Sequence, residues 1–315
     1  MNKKLGIFPT MVTPYTKDGK VDYKGVEALV EWYWKKGCDG IFAVCQSSEI
    51  FYLTLEERVK LGKTVVEKSN ALSKLDKSRK PMKIVVSGHI SDSFDDQVEE
   101  LNAMANVGAD ALILISNRLD IENTSEEKWI DDLYKLIDKL PKNMPLGLYE
   151  CPKPYKRLLT KKMLEVSKAT GRFAFIKDTC CDAALIKERV ELLKDSDLGL
   201  YNANAQTFLE TLRGGADGYC GIMANFHPEI YKWLFDNADK AEAELVQAFI
   251  CMTAFTEFLA YPATAKWYLR TYENIDIQSF SRAVDHHLIT EYQKSCLAQM
   301  KILGDYIKKQ INIEN

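Results

Sequence analysis

Short apolar runs bounded by turn residues alternate along this chain with segments whose apolar residues recur every three or four positions. The first kind reads as buried strand, the second as amphipathic helix. Residues 7–12 form a first strand closed by Thr13-Pro14. Asp22 then caps a helix with Val26, Leu29, Val30 and Tyr33 on one face and Gly37 just past its end. Residues 40–45 are a second strand, followed by the polar turn Gln46-Ser47-Ser48-Glu49 and by Thr54-Leu55-Glu56-Glu57, a capping box. Further strands are predicted over 83–87, 109–115, 146–149, 173–177, 198–201 and 217–222. Helices follow from Phe94, over 128–140, from Thr160, over 183–193 and over 206–212.

Eight strand-then-helix units in about 230 residues have the count and length of an α/β fold of the (β/α)8 TIM barrel type. Residues 1–230 are therefore read as the barrel that carries the site. Residues 231–315 are read as a C-terminal all-helical extension of the same structural unit, with long helices over 240–259 and 285–311. The spacing alone is also compatible with a doubly wound open sheet.

Composition narrows the function classes. The chain has 315 residues, 46% hydrophobic and 28% charged, enough for a large core and outside the disordered range. A net charge of −3 gives no reason to expect nucleic acid or an anionic membrane as partner. The eight cysteines form no CxxC pair and share no metal-ligand spacing with the four histidines, which reads as reduced, buried cysteine in a cytoplasmic protein. The N-terminal segment, broken by Pro9 and Pro14, lacks the apolar core of a signal peptide. With no GxGxxG or P-loop motif, neither a metal nor an organic cofactor is expected.

In a barrel of this kind the C-terminal strand ends carry the chemistry. Those tips present Thr13, Gln46 to Glu49, Tyr149, Lys177, Asn202 with Asn204, and Cys220-Gly221-Ile222. Lys177 ends the apolar run Phe173-Ala174-Phe175-Ile176. A lysine at a strand end is ordinarily a solvated cap, but in a buried strand desolvation favours the free amine that a Schiff-base nucleophile needs. An amine, a phenol able to pass protons and a cluster of hydroxyls converge on one mouth, with Gln46, Ser47, Ser48, Asn204 and Cys220 as candidate substrate contacts. Each has a plainer reading: the serines as turn residues, Cys45, Cys151 and Cys220 as inert packing, and His89 as a lone histidine without a partner.

The chain resembles the dihydrodipicolinate synthase / N-acetylneuraminate lyase family of class I, Schiff-base-forming lyases over nearly its whole length. The resemblance rests on Val12-Thr13-Pro14, the stretch from Gly37 to Glu49 and Leu53-Thr54-Leu55-Glu56-Glu57-Arg58. It continues in Gly147-Leu148-Tyr149-Glu150-Cys151-Pro152, Phe175-Ile176-Lys177-Asp178-Thr179, Gly214-Gly215-Ala216-Asp217-Gly218 and Ala224-Asn225. It implies that Lys177 forms an imine with a 2-oxo acid, pyruvate or a pyruvate-derived sugar acid, and that Tyr149 shuttles the proton. It further implies that Ser47 and Ser48 hold the carboxylate, that Glu49 anchors the turn beside Thr13, and that the protein is a homotetramer.

The departures concern the partner substrate. Pro154 stands where the synthases of the family have an arginine for the second substrate's carboxylate, with Lys153, Lys156 and Arg157 nearby. Ser116-Asn117-Arg118-Leu119 replaces a Tyr-Tyr pair of the proton relay, and Asn202-Ala203-Asn204 replaces a Gly-Asp-Asp, removing an acidic group. Three readings stay open: an aldolase, lyase or dehydratase on a 2-oxo-3-deoxy acid and its aldehyde, a dihydrodipicolinate synthase with an altered second site, and a non-catalytic 2-oxo-acid-binding protein.

Overall fold

The computed structural model describes residues 6–313; Met1 to Leu5, part of the N-terminal segment discussed above, lie outside them. In chain order the barrel elements are β1 (Gly6–Ile7), α1 (Tyr23–Lys35), β2 (Gly40–Ala43), α2 (Leu55–Leu75), β3 (Lys83–Val86) and α3 (Phe94–Ala105). Then come β4 (Ala111–Ile115), α4 (Glu126–Asp138), β5 (Leu146–Tyr149), α5 (Lys161–Ala169), β6 (Phe173–Asp178) and α6 (Ala183–Leu193). The last two units are β7 (Gly199–Asn202) with α7 (Phe208–Arg213) and β8 (Gly218–Tyr219) with α8 (Pro228–Asp236).

All pairings are parallel, in the order β1-β8-β7-β6-β5-β4-β3-β2. A bridge between Thr10 and Phe42, with the Met11 N–H donating to the Phe42 carbonyl at 3.0 Å, brings the first strand back to the second. This is the expected (β/α)8 barrel, and its sequential strand order excludes the doubly wound sheet. The first strand is shorter than expected because Pro9 has no N–H to give the ladder. β8 is equally short: a Cβ on Gly218 would lie 1.9 Å from the Gly6 carbonyl oxygen, so only glycine allows this approach.

The buried apolar residues fall into two groups. The larger fills the space between strands and helices; every residue of β4 is buried, as strands covered on both faces require. The smaller fills the barrel itself. Phe175 stacks on Tyr201 with ring centres 4.2 Å apart, and Phe8 meets Tyr201 edge-on at 5.0 Å. These rings plug the lumen, so the barrel is a packed core, not a pore.

Beyond α8 the chain is helical, in α9 (Ala243–Thr253), α10 (Ala263–Tyr272) and α11 (Glu291–Gln310). The helix expected over 240–259 tightens into 3-10 geometry over Ala254–Phe258, where Thr253 Oγ1 donates back to the Phe249 carbonyl at 2.9 Å. The helix expected from 285 starts later, where Thr290 and Gln293 form a capping box. α10 lies in a stretch for which the sequence predicted no helix. Among the described residues no helix is long and apolar enough to cross a membrane.

Candidate active site

Tyr149 and Lys177 end neighbouring strands and sit directly across the β5–β6 ladder from one another. The Lys177 Nζ lies 4.2 Å from the centre of the Tyr149 ring and 5.5 Å from that of Phe42, with both residues of the Lys177–Tyr149 pair almost fully buried. Strand alternation aims both side chains into the lumen above the aromatic plug. Burial, with the neighbouring thiols of Cys151 and Cys45, holds the Tyr149 phenol well above its usual range, so it is a neutral hydroxyl able to give and retake a proton.

The same alternation turns the next residue of each strand outward. Glu150 and Asp178, both fully buried, meet Arg189 of α6 behind the barrel wall. Arg189 Nη1 donates to Glu150 Oε1 at 2.9 Å and to the Asp178 carboxylate, and its Nη2 donates to the Leu159 carbonyl at 2.6 Å. The Thr179 N–H donates to Glu150 Oε2 at 2.7 Å, and the Thr179 hydroxyl to the Glu150 carbonyl at 2.7 Å. Two carboxylates thus share one guanidinium, locking the tips of β5 and β6 together. Burial first, then the charge of Asp178, raises the Glu150 carboxyl, while Arg189 opposes the rise.

Lys177 and Tyr149 open into a cavity of about 240 Å³ at the C-terminal mouth. Gln46, Ser47, Glu49 and Asn204 reach its wall; Ser48, Thr13 and Cys220 do not. Ser47 Oγ donates to Thr10 Oγ1 at 3.0 Å, and Gln46 Oε1 accepts from Cys151 Sγ at 3.4 Å. Ser48 points the other way: its hydroxyl donates to the Met11 carbonyl at 2.6 Å and its N–H to Cys45 at 3.0 Å. Thr13 Oγ1 donates to the Ser48 carbonyl at 2.7 Å. Glu49 holds a left-handed backbone (φ 62°), and its carboxylate accepts from Lys266 Nζ at 2.6 Å, Ser281 Oγ at 2.9 Å and the Arg282 N–H at 2.6 Å.

Asn204 spends its amide within its own turn, accepting from the Thr207 N–H at 3.0 Å and donating to Gln206 Oε1 at 2.7 Å. Cys220 is buried below the mouth, its thiol pushed up to about 12 by burial against the opposing charge of Lys177, so it is no thiolate. His89 is satisfied on both nitrogens, by Gln97 Oε1 at 3.1 Å and the Ile115 N–H at 2.6 Å, and does not line the cavity of Lys177. Arg157 is also spent: its Nη1 donates to Asp120 Oδ2 at 3.0 Å and its Nη2 to the Ser125 carbonyl at 2.9 Å.

Two wall residues escaped the reading of the sequence. Tyr261 is held by Asn225 Nδ2, which donates to its hydroxyl at 3.2 Å and to the Thr10 carbonyl at 2.8 Å. Glu257 comes from the 3-10 turn after α9 and is the only charged residue between Glu244 and Lys266, a signal that the sequence did carry.

Residues 3–269 match the family model described as the dihydrodipicolinate synthetase family. The chain is similar to the 4-hydroxy-tetrahydrodipicolinate synthase of Methanothrix thermoacetophila, 24% identical over 245 residues covering 78% of this chain and 74% of that one. It is similar to the synthase of the same name from Shewanella baltica, 27% identical over 269 residues covering 83% and 85%. In fold it is similar to the sialic acid aldolase of Ruminococcus gnavus, with a TM-score of 0.80 at 18% identity over 98% of this chain and 99% of that one. With the model matched over most of its length, the chain belongs to the dihydrodipicolinate synthetase family.

Proposed function

We propose that this protein is a class I lyase of aldol type that forms an imine between Lys177 and a 2-oxo acid, pyruvate or a 2-oxo-3-deoxy sugar acid. Membership of the family and its relatives' names support a lyase or aldolase. The observation that carries the reading is the pairing of a buried lysine with a buried tyrosine across β5 and β6, at the open end of the barrel.

The free amine of Lys177 adds to C2 of the 2-oxo acid, and Tyr149 passes the proton to the carbinolamine oxygen, which leaves as water. The resulting iminium accepts the electron pair of the C3–C4 bond as the proton leaves the C4 hydroxyl, giving an enamine and an aldehyde. Protonation at C3 and addition of water return pyruvate and the amine. In the reverse direction the enamine adds to the aldehyde. Ser47, with Gln46 beside it, is the carboxylate contact that the cavity wall favours over Ser48.

The relatives' name favours dihydrodipicolinate synthesis as a second reading, but Arg157 is committed to Asp120, and among the described residues the cationic groups of the cavity wall besides Lys177 are Lys153 and Lys156. All eight cysteines are unpaired, which fits a cytoplasmic enzyme. The exposed Leu245, Met252, Phe255 and Phe258 of the α9 region fit a homo-oligomeric contact, to be read by sedimentation.

Incubation with pyruvate and borohydride, followed by intact mass and peptide mapping, tests the reading. A single adduct on Lys177, absent from Lys177→Ala, supports it. No adduct, or one on another lysine, sinks it in favour of a binding protein without turnover.

A further inference from the structure

Resting on that Schiff-base reading, we infer that Glu257 is the specificity-determining residue of the site. It accepts hydrogen bonds from hydroxyls on the carbon chain beyond the imine, and so selects polyhydroxylated aldehydes and the sugar acids made from them.

Placement comes first. Glu257 lines the cavity that holds Lys177, Tyr149 and Ser47, on the side made by the C-terminal extension. Its turn is held firmly. Thr256 turns inward, its hydroxyl donating to the Thr253 carbonyl at 2.7 Å and lying 3.6 Å from Met300 Sδ. Gln247 of α9 fastens the preceding helix to the β7–α7 loop, donating to the Ala205 and Gln206 carbonyls at 3.0 Å each. Glu257 and the loop of Asn204 therefore line the same cavity.

Chemistry comes second. The other acid on the wall, Glu49, is consumed by Lys266, Ser281 and the backbone of Arg282 and Ala283. Glu257 has no hydrogen-bond donor among the described residues, although it is half-buried. A carboxylate there offers two acceptor oxygens, which suits the neighbouring hydroxyls of a sugar chain. Burial raises its carboxyl above the usual range, with the Lys177 charge acting against the rise, which places the two groups within each other's field.

Charge decides between a hydroxylated and an amino-bearing partner. The remaining charged groups on the wall are Lys153, Lys156 and Lys177, all amines. With Lys177 taken up in the imine, the ammonium groups of Lys153 and Lys156 repel a further cation, whereas a neutral hydroxyl meets only the acceptor.

The test is the condensation of pyruvate with three aldehydes: D-glyceraldehyde, propanal, which lacks its hydroxyls, and aspartate semialdehyde, which carries an ammonium. Unsubstituted protein is expected to prefer glyceraldehyde in kcat/KM. Glu257→Leu is expected to reduce the glyceraldehyde-to-propanal ratio by roughly 10- to 100-fold, the worth of a hydrogen bond to a charged group. Glu257→Gln, which keeps shape and one acceptor, should fall between. Borohydride should still trap pyruvate on Lys177 in all three proteins, whatever the rate, which also reports folding. An unchanged ratio with intact trapping overturns the assignment, as does a preference for propanal or aspartate semialdehyde in the unsubstituted protein. No trapping in the unsubstituted protein overturns the Schiff-base reading itself, and this assignment with it.

Discussion

Glu49 and Lys266 stand 217 positions apart in the sequence and 2.6 Å apart in space, with neither side chain exposed. Desolvation lowers the Lys266 ammonium to about 8, against the pull of Glu49. The pair fixes the turn of Gln46 and Ser47 to the C-terminal extension. Removing one partner leaves the other charge buried without a counter-charge, at a cost of ~3–5 kcal/mol. Lys266→Met should lose that much in urea unfolding and slow imine trapping by pyruvate. A loss below ~1 kcal/mol would show that the turn is held by the remaining donors to Glu49.

Tyr149→Phe keeps the ring under the Lys177 ammonium and removes only the hydroxyl. Borohydride should still trap pyruvate on Lys177, at a rate lower by ~10²–10⁴, the usual worth of a positioned proton donor. Rapid-quench trapping measures it; an unchanged rate would move the shuttle to another group.

Asn117 stands where the family's relay tyrosines are absent, and its amide donates to the carbonyls of Cys151 at 2.8 Å and Lys153 at 3.0 Å. It holds the loop that brings Pro152 and Lys153 to the cavity. Asn117→Ala should destabilise the protein by ~1–3 kcal/mol, since those buried carbonyls lose their donor. It should also speed tryptic cleavage after Lys156 under native conditions by loosening this exposed loop, with KM affected more than kcat. Resistance to trypsin equal to that of the parent would contradict this.

Glu150 supplies the pH dependence. Its carboxyl rises from 4.5 to about 7 on folding, through burial and the charge of Asp178. The native state therefore binds this proton more tightly than the unfolded chain. The stability it supports is complete below about 4.5 and is eroded as pH rises through 7. Glu150→Gln cannot ionise and escapes that erosion. Its urea midpoint relative to the parent should improve between pH 5 and pH 8; a difference independent of pH would place the proton elsewhere.

The barrel was legible because its signals are local: a capping box at Thr54, an apolar run ending at Lys177, a glycine after α1. The pairing of Lys177 with Tyr149 followed once strand order was right, because neighbouring parallel strands align their tips. What stayed hidden depends on contacts between distant segments. Ser47 and Ser48 look alike in sequence, yet consecutive residues of a 3-10 turn point in different directions, and only one meets the cavity. Asn204 reads as a substrate contact until its own turn consumes the amide. Glu257 and Tyr261 face the mouth because the extension folds back over the barrel, which no periodicity in residues 240–262 announces.

The fastening of Glu49 to residues 281–283 has a consequence for the order in which the protein is made. The turn leaves the ribosome early, but its last donor, the Ala283 N–H, follows 234 residues later. At ~5–20 residues per second that is a delay of roughly ten to fifty seconds. In the later part of that interval, once Lys177 has been made, the nascent chain carries this lysine without a finished turn beside it. A chain that stops between α8 and Ala283 would hold all eight strands and yet leave the turn of Gln46 and Ser47 without its distant donors.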